Sequence, residues 1–181
     1  DVEGFTKMSQ SVPPQEVAEI LNLWFRKIGD AISTHGGEID KYIGDCVMAL
    51  WRSKPDQAEE TAVKAVIAAE AILKETDKLA RSGSWAYEDR FPWRCRVALN
   101  TGEALMGALG SAGSRDYTVL GDTVNVAFRL ETLASDQGSA LVISEPSAKL
   151  VGDHLPLKSL GHVILDGRKD NMEIFTLDRE K

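Results

Sequence analysis

The stretch Asp116–Glu131, DYTVLGDTVNVAFRLE, decides how the rest of this chain is read. A short apolar strand over Tyr117–Leu120 stops at Gly121, and a helix begins that carries Asn125 and Arg129. At a spacing of four, those side chains stack on one helix face. A guanidinium is a rigid fork of donors that matches phosphate oxygens. An amide beside it, just past a strand end, suits an oxyanion or phosphoryl group better than a core. On spacing alone, the pair also fits a solvated helix face, and both readings stand at this point.

Outward from this segment, the chain alternates strands and helices. Val17, Leu21, Trp24, Ile28 and Ile32 recur every three to four residues, which predicts an amphipathic helix from about Pro14 to Thr34. Glu38–Tyr42 and Cys46–Trp51 read as two strands joined by the tight turn Ile43-Gly44-Asp45. A second long helix follows over about Asp56–Arg81, then a polar loop over Ser82–Phe91. Trp93–Leu99 and Ala104–Leu109 read as strands, and Gly110–Ser114 as a Gly/Ser loop leading to the opening segment. The tail offers a strand at Leu141–Ile143, a short helix near Pro146–Val151, and late strands near Leu160–Leu165 and Glu173–Leu177. Strands interleaved with such helices indicate an α/β or α+β sandwich, with a ferredoxin-like sheet and additions.

Composition narrows the classes of function. At 181 residues the chain fits one domain with its own core. A formal net charge of −7 disfavours a nucleic-acid platform, while leaving room for a local basic pocket. Cys46 and Cys95 lie in apolar runs without CxxC spacing, so they read as buried thiols of a reducing compartment. His35, His154 and His162 are scattered without metal-ligand spacing. The longest alanine-rich stretch, Val63–Leu73, is interrupted by Lys64 and Glu70, so no membrane span is expected.

Three ordered motifs resemble one family. DVEGFT at Asp1–Thr6, GGEIDKYIGDCVMALW at Gly36–Trp51 and the opening segment look like the corresponding stretches of class III nucleotidyl cyclases, which make cyclic AMP or cyclic GMP. The resemblance covers nearly the whole chain and implies a ferredoxin-like βαββαβ core with C-terminal additions over residues 1–181. The chain starts directly on Asp1, without the apolar strand that normally precedes this motif. A fragment lacking that strand and an upstream regulatory region is therefore expected, with the catalytic domain in the cytoplasm.

The resemblance also implies roles. Asp1, Val2 and Asp45 match the metal set for two divalent cations, Mg²⁺ or Mn²⁺; from spacing alone either carboxylate equally fits a turn or a cap. Phe5 and Thr6, following Gly4, match a backbone cradle for the terminal phosphates. No GxxxxGK[ST] loop is present, which excludes a P-loop enzyme. Arg96, opening RVALNTG, matches an arginine that contacts the β/γ-phosphates. Lys41 and Thr118 match the base-reading positions. A lysine only donates, which suits the N1 acceptor of adenine and opposes the N1 donor of guanine. Thr118 also resembles the subgroup said to respond to bicarbonate. ATP is thus the expected substrate, with Asn125 orienting the ribose and Arg129 stabilising charge on the α-phosphate. A symmetric homodimer with sites at the interface is expected.

Two positions depart from the family. Asp166, before Gly167, stands where relatives often have a phosphate-binding lysine, leaving Arg168 or Lys169 as substitutes. Phe128 stands where they usually have a small residue. These departures are the best support for a rival reading as an inactive cyclase-like dimerisation or nucleotide-sensing module. Another rival is a diguanylate cyclase, since Gly36–Asp40 superficially resembles a GG[DE]EF signature, but Asp40 replaces the phenylalanine. A guanylate cyclase is disfavoured by Lys41.

Overall fold

The computed structural model describes residues 1–111, 114–134, 137–167 and 171–179, with only the backbone for 109–111 and 114–116. The chain forms two compact units. One comprises Asp1–Ser53 with Lys64–Val97, the other Lys54–Val63 with Ala98–Lys181. Helices and largely antiparallel strands make this an α+β fold.

In the first unit, α1 (Phe5–Ser9) and α2 (Pro14–Thr34) precede the hairpin β1 (Glu38–Ile43) and β2 (Cys46–Leu50). Pro14 sits in the first turn of α2, where its missing N–H costs nothing. The buried stripe of α2 is Val17, Ile20, Trp24, Ile28, Ala31 and Ile32. Ile20 takes the place expected for Leu21, which is half-buried. The Trp24 indole N–H donates to Thr76 Oγ1 at 2.8 Å, and that hydroxyl donates on to the Ile72 carbonyl at 2.8 Å. Thr76 lies on α3 (Ala58–Ala80). Trp93 meets Trp24 and Trp85 edge-on, at centroid separations of 6.2 and 5.6 Å. Thr76→Val should strand the buried indole N–H and cost about 1–3 kcal/mol, read as a shifted denaturant midpoint at unchanged slope.

Burial pushes the Cys95 thiol above its ordinary pKa, as expected of an inert core cysteine. Cys46 corrects the expectation of two buried thiols, because it is half-buried.

In the second unit, β3 (Val97–Leu99), entering through Ala98 and Leu99, begins a four-stranded sheet. Its order is β3, β6 (Leu141–Ser144), β8 (Asn171–Leu177), β7 (Leu157–Ile164). All four residues of β6 are buried. Helix α4 (Asp122–Ala134) packs Val126, Leu130 and Ala134 against Val142, Leu165 and Ile174. Ser144 caps α5 (Glu145–Val151), its hydroxyl accepting from Ser147 N–H at 3.3 Å.

Two expectations change in detail. Within Trp93–Leu99 only Val97–Leu99 joins the sheet; the residues before it pair with the chain start. The expected Gly/Ser loop over Gly110–Ser114 is largely hairpin. Strands β4 (Leu105–Ser111) and β5 (Ser114–Leu120) keep pairing through Gly110↔Arg115 and Ser111↔Ser114. Ladder bonds use backbone groups alone, so glycine weakens a strand without forbidding it. Among the described residues no helix is long and apolar enough to cross a membrane.

Candidate active site

The first unit brings the carboxylate motifs together. Asp1–Glu3 is extended and pairs with Arg94–Arg96. Asp1 N donates to the Arg96 carbonyl at 3.2 Å, while Arg96 N–H returns a bond to Asp1 O and Glu3 N–H one to Arg94 O, both at 2.9 Å. Val2, 2% exposed, anchors this segment through a bridge to Cys95.

Asp45 arrives from the other side of the sequence. Register pairing of Ile43 with Cys46 leaves Gly44 and Asp45 as a two-residue turn, and Gly44 takes φ +64°, a conformation that glycine adopts without strain. The turn aims the Asp45 carboxylate at the chain start, where Oδ2 accepts from Val2 N–H at 3.3 Å. Asp45, 44 positions along the chain from Asp1, is thereby held at the backbone of Asp1's neighbour Val2.

Arg96 supplies the counter-charge. Its guanidinium lies 3.7 Å from Asp1 Oδ1 and 3.9 Å from Glu3 Oε1. The Arg96 side chain is only 17% exposed, so these attractions are screened less than those of a surface pair. Glu3 was missed by motif reading. Its signal was available: residues i and i+2 of an extended segment share a face, so Asp1 and Glu3 point the same way.

The acidic groups suit hard cations, which take oxygen ligands, and Mg²⁺ in particular binds through one or two carboxylates plus substrate phosphates. Asp1, Asp45 and the Val2 backbone fit that requirement. Among the described residues there is no cluster of three or more His, Cys, Asp or Glu able to hold a metal alone. Next along, Phe5 and Thr6 open α1, whose first intrahelical acceptor is the Gly4 carbonyl, bonded by Lys7 and Met8 N–H at 3.0 and 3.1 Å. Lys41, four residues before Asp45 on β1, has its ammonium 3.5 Å from Asp40 Oδ2.

The second unit holds the remaining candidates. Thr118 on β5 pairs with Gly107 of β4 and is half-buried. One short step later α4 presents Asn125, exposed, and Arg129, half-buried, while Val126 and Leu130 face the core. The opening of α4 is clamped. Asn100 Nδ2 donates to the Thr123 carbonyl at 2.9 Å, and Thr123 Oγ1 donates to the Glu103 carbonyl at 2.8 Å. Gly102 lies so close that a Cβ there would sit 2.5 Å from Thr123 Oγ1. Gly102→Ala should therefore break the Thr123–Glu103 bond at a cost of about 1–2 kcal/mol. The loss should be much smaller in a Thr123→Ala background, a coupling read from thermal melts of the four proteins.

Arg129 has a second neighbour. A Cβ on Gly167 would stand 3.6 Å from its Nη2, so the loop carrying Asp166 reaches the guanidinium. Arg168 and Lys169, the expected substitutes for a phosphate-binding lysine, lie outside the described residues. Phe128 is partly exposed on α4.

Comparison with known proteins identifies the family. Residues 1–179 match the adenylate and guanylate cyclase catalytic domain family. An adenylate cyclase of Anabaena cylindrica is 34% identical over 146 residues, covering 80% of this chain and 28% of its own length. Adenylate cyclase 1 of Rhizobium meliloti (strain 1021) is 29% identical over 177 residues, covering 97% of this chain and 26% of its own. The chain thus spans little more than a quarter of either relative. The crystal structure of the adenylyl cyclase CyaB from P. aeruginosa superposes with a TM-score of 0.87 at 28% identity, covering 100% of this chain and 91% of that one. Taken with the carboxylate motifs that converge on Val2 and the Asn125–Arg129 face of α4, the match places this chain in the adenylate and guanylate cyclase catalytic domain family.

Proposed function

We propose that residues 1–181 act as one catalytic domain that converts ATP to 3′,5′-cyclic AMP and pyrophosphate in the cytoplasm. The 3′-hydroxyl oxygen of the ribose attacks the α-phosphorus. The new O3′–P bond forms as the bond from the α-phosphorus to the bridging oxygen of the β-phosphate breaks, and the hydroxyl proton passes to a carboxylate or water. Such a reaction needs in-line positioning and charge neutralisation more than covalent catalysis.

The observation that supports this reading is the Val2 N–H to Asp45 Oδ2 bond, which brings the Asp45 carboxylate to the residue next to Asp1. Asp1, Asp45 and Val2 would hold two divalent cations, Mg²⁺ or Mn²⁺. When bound, these ions supply Lewis-acid activation of the attacking oxygen and neutralise phosphate charge. Arg96 binds the β/γ-phosphates, exchanging its contacts with Asp1 and Glu3 for phosphate oxygens, and the amides at Phe5 and Thr6 support the same group. Asn125 holds the ribose, and Arg129 meets the charge that grows on the α-phosphate. Lys41 donates to adenine N1 and Thr118 accepts from the exocyclic amine.

Incubation of the purified domain with Mn²⁺ or Mg²⁺ and either ATP or GTP, with identification of the product, tests the proposal. Cyclic AMP is expected. Cyclic GMP in excess would overturn the base assignment, and tight binding of an ATP analogue without any cyclic product would favour an inactive nucleotide-sensing module. One observation favours that second reading: the loop that approaches Arg129 carries Asp166 where a basic residue would help.

Each site would combine metal-holding residues of one copy with Thr118, Asn125 and Arg129 of another, in a C₂ homodimer. Support comes from exposed apolar side chains on the β4–β5 hairpin and α4, namely Leu105, Tyr117, Leu120 and Phe128. Mixing Asp45→Asn and Arg129→Ala proteins, each inactive alone, should then restore about a quarter of wild-type activity, since half the dimers are mixed and each has one intact site. No recovery after subunit exchange, or full activity in a sedimenting monomer, would refute the arrangement.

A further inference from the structure

Along a regular strand, adjacent side chains point to opposite faces. Asp40 and Lys41 break that rule. The pairing of β1 with β2 runs from Ile39↔Ala49 directly to Lys41↔Met48, so Asp40 is the extra residue of a bulge. A bulge abolishes the alternation locally and re-aims a side chain. Here it brings the Asp40 carboxylate alongside its neighbour, with Oδ2 3.5 Å from Lys41 Nζ.

The exposure of this pair is unlike that of the ion pairs on the surface. The Asp40 side chain is 4% exposed and that of Lys41 32%, whereas in Arg52–Glu38, on the same hairpin, both ends stand in solvent at 57% and 58%. Burying a carboxylate is costly unless charge and hydrogen bonds compensate it. A hairpin of this length does not need that expense to form, since regular alternation with an exposed acid would serve. Thr118, the other expected base reader, is uncharged. The negative charge beside the lysine, Asp40 at 3.5 Å, comes from its own strand.

We propose that Asp40 is a positioning residue that holds the Lys41 ammonium at the purine edge and so sharpens the choice of ATP over GTP. The inference rests on the assignment of Lys41 as a base reader. An ammonium has three donors on a flexible four-carbon stem. Paired with Asp40, the ammonium stays where it meets adenine N1 and opposes the N–H at guanine N1. Without Asp40, the stem swings free, adenine loses a fixed partner, and guanine is no longer rejected.

The test uses Asp40→Asn, Asp40→Glu, Lys41→Ala and the Asp40→Asn/Lys41→Ala double variant of the whole domain, assayed on ATP and GTP with metal. Asp40→Asn should raise the ATP KM about tenfold with kcat within about twofold, raise kcat/KM for GTP, and so lower the ATP:GTP ratio of kcat/KM by more than about tenfold. Asp40→Glu, which keeps the charge one methylene further out, should fall between wild type and Asp40→Asn. In the Lys41→Ala background, Asp40→Asn should leave the ratio unchanged, the signature of action through one partner. An unaltered ratio in Asp40→Asn, or an equal loss with and without Lys41, overturns the inference. Should Asp40→Asn not fold, an Asp40→Glu protein with the wild-type ratio does so instead. Failure of the activity reading is distinct, because the wild-type domain would then form no cyclic nucleotide and Lys41→Ala would leave the relative binding of ATP and GTP analogues unchanged.

Discussion

Asp45→Asn is expected to lower cyclic AMP formation at saturating ATP by about a thousandfold, the loss of several kcal/mol of charge stabilisation. The substitution isolates charge from shape. An asparagine oxygen can still accept from Val2 N–H, as Oδ2 does at 3.3 Å, and Gly44 still sets the turn with its φ of +64°. The hairpin should form and the melting temperature should stay within a few degrees. What is lost is one of the two negative charges that make this corner attractive to a divalent ion. Activity should therefore rise again as Mn²⁺ is increased, with a half-maximal concentration well above that of wild type. Near-normal turnover at low metal concentration would remove Asp45 from the metal set. Asp1→Asn should act in the same direction with a second consequence, because Arg96 would then keep only Glu3 of its two described carboxylate partners.

The approach of Asp45 to the chain start was legible because each segment lies in a motif of fixed wording, and the motifs carry their own turn chemistry. Gly44-Asp45 between two apolar runs predicts a hairpin, and a hairpin tip is where a carboxylate can project toward another segment. Helices α2 and α4 were legible for a simpler reason: their apolar residues recur at helical period, and the core takes up that face. The period does not choose between neighbours, however. Ile20 and Leu21 both flank the apolar stripe, and packing in the first unit buried Ile20.

What stayed hidden depends on partners distant in sequence. Nothing in EIDKYI announces that Asp40 is a bulge, since a bulge is a property of the pairing with β2 and not of one strand. Strand alternation puts Glu3 on the face of Asp1, but it does not name Arg96, 93 positions further on, as their common partner. The continuation of the β4–β5 ladder through Gly110 and Ser111 was obscured because glycine and serine signal turns locally, whereas the partner strand decides. The clamp on Thr123 was equally invisible, being built from the loop Asn100–Glu103 and read only from its hydrogen bonds.

Arg129→Ala should lower kcat about a hundred- to a thousandfold while the ATP KM stays within a few-fold, the range found when one preorganised donor to a developing oxyanion is removed. The position permits a clean experiment. Arg129 is half-buried on the face of α4 away from Val126 and Leu130, so truncation leaves the packed stripe intact. It also lies beside Gly167, where the backbone approaches the guanidinium closely enough that a Cβ would touch Nη2 at 3.6 Å. Preorganisation is what gives a donor to a developing oxyanion its catalytic effect. Arg129→Lys should recover little, because a point charge on a flexible stem cannot reproduce the two parallel bonds of the fork. Gly167→Ala offers a milder version, leaving the guanidinium in place while straining the backbone beside it at φ +74°. If Arg129 acts on the transition state, Gly167→Ala should lower kcat in the wild-type protein and have no further effect in Arg129→Ala. A KM increase in place of the kcat loss would mean that Arg129 grips the ground-state nucleotide, and its role would move from the α-phosphate to substrate binding.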